Sequence, residues 1–94
     1  MTYKLAFNES ALKEWKKLCH TIQEQFKKKL RERLENPRVP ASQLHGRKDQ
    51  YKIKLRGAGY RLVYSVEDEI ITVTVIGVGK RENDAVYKVT QHRS

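Results

Sequence analysis

The chain has 94 residues, a formal net charge of +9 and a single cysteine, Cys19. That length allows one domain with a modest core, and one cysteine leaves neither an internal disulfide nor a paired-thiol zinc site. No apolar run is long enough to span a bilayer and no signal peptide opens the chain, so a cytoplasmic protein is expected. The charge calls for a polyanionic partner: nucleic acid or an anionic membrane surface, with an acidic protein third.

In chain order, Thr2 to Phe7 alternates weakly, with Tyr3, Leu5 and Phe7 on one side and Lys4 on the other, as a first strand would. Asn8 or Ser10 offers a helix N-cap, after which Ala11, Leu12, Trp15 and Leu18 recur at helical spacing while the intervening lysines face water. Thr21-Ile22-Gln23-Glu24 has the form of a capping box, which predicts a second helix starting afresh near Cys19 and His20. Cys19 reads as a small, half-buried helix residue. Ile22, Phe26, Leu30 and Leu34 make the core stripe of that helix, and Asn36-Pro37 closes it, because the residue before a proline is pushed out of helical conformation. The two helices form a hairpin able to cover one sheet face.

The same helices carry Lys16, Lys17, Lys27, Lys28, Lys29, Arg31 and Arg33. Glu24, Glu32 and Glu35 lie three or four residues from some of them, and a solvated face accounts for that part of the charge. The basic excess suits sequence-independent contact with a phosphate backbone through Lys27, Lys28, Lys29 and Arg31. From Arg38 to Gln50, Pro40, Gly46 and Asp49 break the pattern and predict a loop anchored by Val39 and Leu44. His45, in that loop, reads as a surface histidine within reach of RNA rather than a catalytic one.

Tyr51 to Tyr64 organises the rest. Tyr51, Ile53 and Leu55 alternate with Lys52, Lys54 and Arg56, the signature of a half-buried strand. A two-residue turn at Gly57-Ala58, with Gly57 supplying a positive φ, would pair Arg56 with Gly59. Leu55 then meets Tyr60, Ile53 meets Leu62, and Lys54 stands directly opposite Arg61. Every apolar residue faces an apolar one, but two cations oppose each other on the other face, at a cost of about 0.2–1 kcal/mol. An anion belongs between them. Glu67-Asp68-Glu69 marks the next turn, and Ile70 to Val78 reads as a further antiparallel strand. Pairing Val66 with Glu69 would set Leu62 opposite Val73, bury Ile71, Val73 and Val75, and carry Gly77-Val78-Gly79-Lys80-Arg81 past the hairpin turn. Asn83 could cap a short terminal helix packed through Ala85, Val86 and Val89, with Tyr87 pointing away from that core.

The expected fold class is therefore α+β: one domain over residues 1–94, a mostly antiparallel four-stranded sheet covered by an N-terminal helical hairpin, with a short C-terminal helix. The candidate site is Lys52, Lys54, Arg61, Arg81 and Tyr87. An exposed aromatic beside clustered cations is the combination that stacks a base and holds its phosphate. No ligand-like carboxylate cluster falls at the basic face, so neither a metal nor another cofactor is expected.

Ala11-Leu12-Lys13-Glu14-Trp15, Tyr51-Lys52-Ile53-Lys54-Leu55-Arg56, Gly59-Tyr60-Arg61-Leu62-Val63-Tyr64, and Val78-Gly79-Lys80-Arg81-Glu82 through Val86-Tyr87 closely resemble the RelE family of bacterial toxins, nearly end to end. The likeness is to the ribosome-dependent, messenger-cleaving branch. It implies that Lys52, Lys54, Arg61, Arg81 and Tyr87 are the functional set, that ribosomal RNA and messenger RNA are the partners, and that a RelB-like antitoxin binds the toxin. It further implies that operator DNA is bound only as the antitoxin complex, which represses the shared operon. The reaction implied is attack of a ribose 2′-hydroxyl on its own 3′-phosphate. Two alternatives stand beside this one: a ParE-like inhibitor of DNA gyrase, and a non-catalytic basic module that binds RNA or DNA by charge alone.

Overall fold

The computed structural model of the chain describes residues 2–80. In them the apolar periodicities become β1 (Lys4–Phe7), α1 (Glu9–Lys16), α2 (His20–Glu35), β2 (Gln50–Leu55), β3 (Tyr60–Glu67) and β4 (Thr72–Lys80). The strands form one sheet in the order β1-β4-β3-β2, antiparallel except where β1 runs parallel to β4. The expected terminal helix, with Asn83, Ala85, Val86 and Val89, lies outside the described residues, as do Arg81 and Tyr87.

The helices start where the backbone finds acceptors. The Asn8 side chain accepts from the Ser10 and Ala11 N–H groups and caps α1, which buries Ala11 and Trp15. Leu12, one position past Ala11 and so rotated off the stripe, is exposed rather than buried. The start of α2 falls at His20 as expected, but no capping box forms. Its N-cap is Cys19, exposed and without a side-chain bond, so Thr21 and Glu24 lie inside the helix and Glu24 turns outward to Lys27 at 3.3 Å. The exposure of Cys19 corrects the half-buried expectation. Ile22, Phe26 and Leu30 are buried, Leu34 packs at the margin, and Asn36 ends the helix ahead of Pro37.

Trp15 joins both helices to the sheet: its ring lies 5.4 Å from that of Phe7 and 6.1 Å from that of Phe26. Below it lie Ile53, Leu55, Leu62, Tyr64, Val73, Val75 and Val78 on the covered sheet face. Burying a side chain such as Phe26 or Leu62 contributes about 1.5–3 kcal/mol. Leu44, from the loop before β2, crosses to the opposite face and packs with Val63 and Ile76. Tyr3 and Phe7 pack against the core, whereas Leu5, between them on the edge strand, is 40% exposed.

The β2–β3 register is the one expected, with Leu55 paired to Tyr60, Lys54 to Arg61 and Ile53 to Leu62. The turn that closes it differs. Arg56 to Gly59 make a four-residue loop, held by the Gly59 N–H donating to the Leu55 carbonyl at 2.8 Å, and Gly59 rather than Gly57 takes the positive φ, at 71°. Two- and four-residue loops centred on the same bond leave every cross-strand pair unchanged, so the register survives the correction.

The β3–β4 register does change. Asp68–Ile70 form a single 3-10 turn and Ile71 adopts φ 50°, so the ladder opens at Glu67 and Thr72, and a bulge at Ile76 shifts it again. Val66 therefore meets Val73 and Leu62 meets Val78, in place of the Leu62 to Val73 pairing expected. Ile71 is only half-buried, and Lys80 ends opposite Tyr60 instead of passing the hairpin turn.

Candidate active site

Strand alternation places Lys52 and Lys54 on the sheet face opposite Ile53 and Leu55. Cross-strand pairing then builds two parallel rows: Lys54, Arg61 and Gly79 in one, Lys52, Val63 and Gly77 in the next. Lys54 is exposed and Lys52 half-buried, while Arg61, on an interior strand, is 9% exposed. A Cβ built on Gly79 would meet none of the described residues within 4 Å, so among them the β4 side of the cation row is backbone alone. A planar base or a phosphate can approach there without displacing a side chain.

The lysines differ in their surroundings. Lys54 is held below the ordinary lysine pKa first by the charge of Lys52, then by desolvation, and then by the charges of Arg61 and Arg56. A lysine shifted in this direction carries more of the neutral amine at a given pH, which is what a general base requires. Lys52, and not the opposed Arg61, is the largest of these influences.

Between α2 and the free edge of β2 runs a groove lined by Lys29, Arg33, Lys52, Lys54 and Arg56, with no acidic side chain in its lining. Lys29 thus joins the site region. Lys27 is engaged by Glu24, and Lys28, Arg31 and His45 are exposed on the helix and the loop. Arg33 is the residue that charge counting undervalues. It reaches the Lys52 carbonyl at 3.3 Å, the Tyr64 hydroxyl at 2.9 Å and Ser42 Oγ at 3.2 Å. Its spacing from Phe26 and Leu30 continues the apolar stripe of α2, and that is the signal that separates it from the solvated lysines. Among the described residues no group of three or more His, Cys, Asp or Glu side chains is placed to hold a metal ion, and no helix is long and apolar enough to cross a membrane.

This geometry can be set beside known proteins. A family model described as the ParE toxin of the type II toxin-antitoxin system parDE matches residues 5–85. The mRNA interferase toxin RelE of Escherichia coli K12 is 61% identical over 87 residues, covering 93% of this chain and 92% of that one. The chain belongs to the RelE family, within the RelE/ParE superfamily. Among solved structures, a mutant of E. coli toxin RelE in the free state matches with a TM-score of 0.92 at 57% identity, over 99% of this chain and 98% of that one. A chain of the intact E. coli RelBE toxin-antitoxin complex matches with a TM-score of 0.83 at 60% identity, over 86% of this chain and 99% of that one. The RelE-like α+β architecture, two N-terminal helices on a four-stranded mixed sheet, is thus both what the residues predict and what the relatives share.

Proposed function

We propose that this protein is the toxin of a type II toxin-antitoxin pair, a ribosome-dependent endoribonuclease that cleaves messenger RNA in the ribosomal A site and so inhibits translation. The observation that carries this reading is the 61% identity to the E. coli mRNA interferase RelE over nearly the whole chain. The family model alone would leave a ParE-like gyrase inhibitor open; identity at that level favours the RelE branch. The Lys54, Arg61 and Gly79 row supports it as well, because two opposed cations beside a glycine suit a phosphodiester.

In the reaction proposed, neutral Lys54 takes the proton of the ribose 2′-hydroxyl, with Lys52 assisting. The 2′-oxygen forms a bond to its own 3′-phosphorus, and the bond from phosphorus to the 5′-oxygen of the next nucleotide breaks. Arg61 clamps the phosphoryl oxygens as their negative charge grows. Arg81 stabilises the departing 5′-oxygen as a fixed charge, since guanidinium releases protons reluctantly, and Tyr87 stacks on a base to hold the backbone in line. Lys54 is left carrying the 2′-proton, water protonates the departed 5′-oxygen, and the products are a 2′,3′-cyclic phosphate and a 5′-hydroxyl. No histidine stands in this set, so the ribosome supplies orientation that free RNA lacks, and the reaction belongs to the cytoplasm. Residues 1–94 act as one toxin domain. The likeness to a chain of the RelBE complex supports a RelB-like antitoxin as the cognate partner, with operator DNA bound only by the pair, as co-repressor of its operon.

Primer extension on programmed ribosomes, with end-group analysis of the product, tests the reading. A codon-positioned stop with a cyclic phosphate end is expected. Inhibition of gyrase without cleavage would establish the ParE-like alternative, and salt-sensitive RNA binding without either activity would establish the charge-only module.

A further inference from the structure

We propose that Arg33 is a positioning residue of this site, pinning the Lys52 segment of the β2 edge so that Lys52 stays beside Lys54; this rests on the assignment of Lys54 as the base. Among the described residues β2 is an edge strand, and its outward carbonyls have no partner strand along Lys52 to Lys54. The Gln50 carbonyl is met by the Leu44 N–H at 2.9 Å, and two residues on, the Lys52 carbonyl is met by Arg33 Nη1. A side chain from a helix thus stands in for a strand two residues before the base.

The fork that makes this contact is itself fixed. Arg33 Nη1 also donates to the Tyr64 hydroxyl and Nη2 donates to Ser42 Oγ. The Tyr64 hydroxyl in turn donates to the Pro37 carbonyl at 2.7 Å, which aims its lone pairs at Arg33. Tyr64 is fully buried and stacked on Tyr51, so the guanidinium is referenced to the centre of the sheet. No carboxylate among the described residues lies within ion-pair distance of it. A half-buried cation without a counter-ion, in a chain already at +9, costs folding stability, and such local conflicts are what functional sites retain.

Among the described residues, the charged groups facing Lys54 are Lys52 from its own strand, Arg56 from the hairpin loop, Arg61 from β3, and Lys29 and Arg33 across the groove. Lys52 exerts the largest influence of those that depress the Lys54 pKa. Releasing the Lys52 segment lets its ammonium move away, and the Lys54 pKa then climbs back toward its ordinary value.

The experiment is the pH dependence of single-turnover cleavage on programmed ribosomes by the wild-type, Arg33→Met, Arg33→Lys, Tyr64→Phe and Lys54→Ala proteins, with thermal unfolding measured in parallel. In Arg33→Met the limb along which the rate rises with pH moves up by about half a unit, so that the rate near neutrality falls about threefold and recovers at higher pH. Ribosome binding stays unchanged. Arg33→Lys, which keeps the charge and a donor, regains part of the shift. If Arg33→Met fails to fold, Tyr64→Phe, which removes the anchor of the fork, carries the test and should move the limb in the same direction. A rate lowered equally at every pH, or a limb superimposed on the wild type's, overturns the positioning role while a dead Lys54→Ala keeps the base assignment standing. Wild-type cleavage by Lys54→Ala overturns both.

Discussion

Lys54 and Arg61 are a directly paired couple across the β2–β3 ladder, one exposed and the other 9% exposed. Like charges directly opposed across a strand pair repel each other. Replacing Lys54 with Gln should therefore raise the unfolding free energy of the free protein by about 0.2–1 kcal/mol while removing cleavage. Urea denaturation at low salt reads the first effect. Unchanged or lowered stability would mean that the pair is not in net repulsion.

The hairpin turn gives a second test. Gly59, at φ 71°, has open space around its Cβ position, so Gly59→Ala meets only backbone strain and should cost about 1–2 kcal/mol. Gly57 also has open space and no positive φ, so Gly57→Ala should be neutral or stabilising by up to about 1 kcal/mol. The opposite order would restore the two-residue turn.

A third prediction concerns the far end of the sheet. Asp68 accepts from Arg38 at 2.6 Å and from the Tyr3 hydroxyl at 2.7 Å, and the Arg38 bond first, then Tyr3, hold its carboxyl below the usual range. A folded-state pKa depressed below the unfolded one contributes stability that is present above about pH 4 and is lost as pH falls through the folded value. The stability difference between wild type and Asp68→Asn should accordingly be largest near neutrality and shrink on acidification. A difference independent of pH would show that the ion pair contributes nothing beyond its neutral hydrogen bonds.

For the helix charge, neutralising Lys27 and Lys28, which lie outside the groove lining, should flatten the salt dependence of ribosome association by about one to two logarithmic units of slope, leaving cleavage in the saturated complex nearly intact. Lys27 already has Glu24 as a partner, so its share should be the smaller. An unchanged slope would return these lysines to a solvated face.

Most of the fold is legible in the sequence because alternation through Tyr51 to Leu55 and the stripe at Ile22, Phe26 and Leu30 report burial directly. The Lys54 to Arg61 pairing is legible for a stronger reason: two- and four-residue loops centred on the Gly57-Ala58 bond both preserve it. The β3–β4 register is not, because it depends on a left-handed Ile71, a conformation β-branched residues rarely adopt, and on a bulge at Ile76 that alternation does not mark. Exposure of Leu5 and Leu12 follows from sheet edges and helix phase rather than from hydrophobicity. Arg33 is hidden among lysines until its phase on α2 is counted. Arg81 and Tyr87, outside the described residues, stay in the site as proposals from the family likeness.

In the proposed reaction Lys54 does chemistry and does not merely hold RNA. Single-turnover cleavage and equilibrium binding of Lys54→Ala, measured on the same programmed ribosomes, test it most directly. The rate should fall at least about a hundredfold with affinity changed by less than about threefold, the pattern of an interaction made only in the transition state. A loss of affinity as large as the loss of rate would make Lys54 a docking residue and contradict the account.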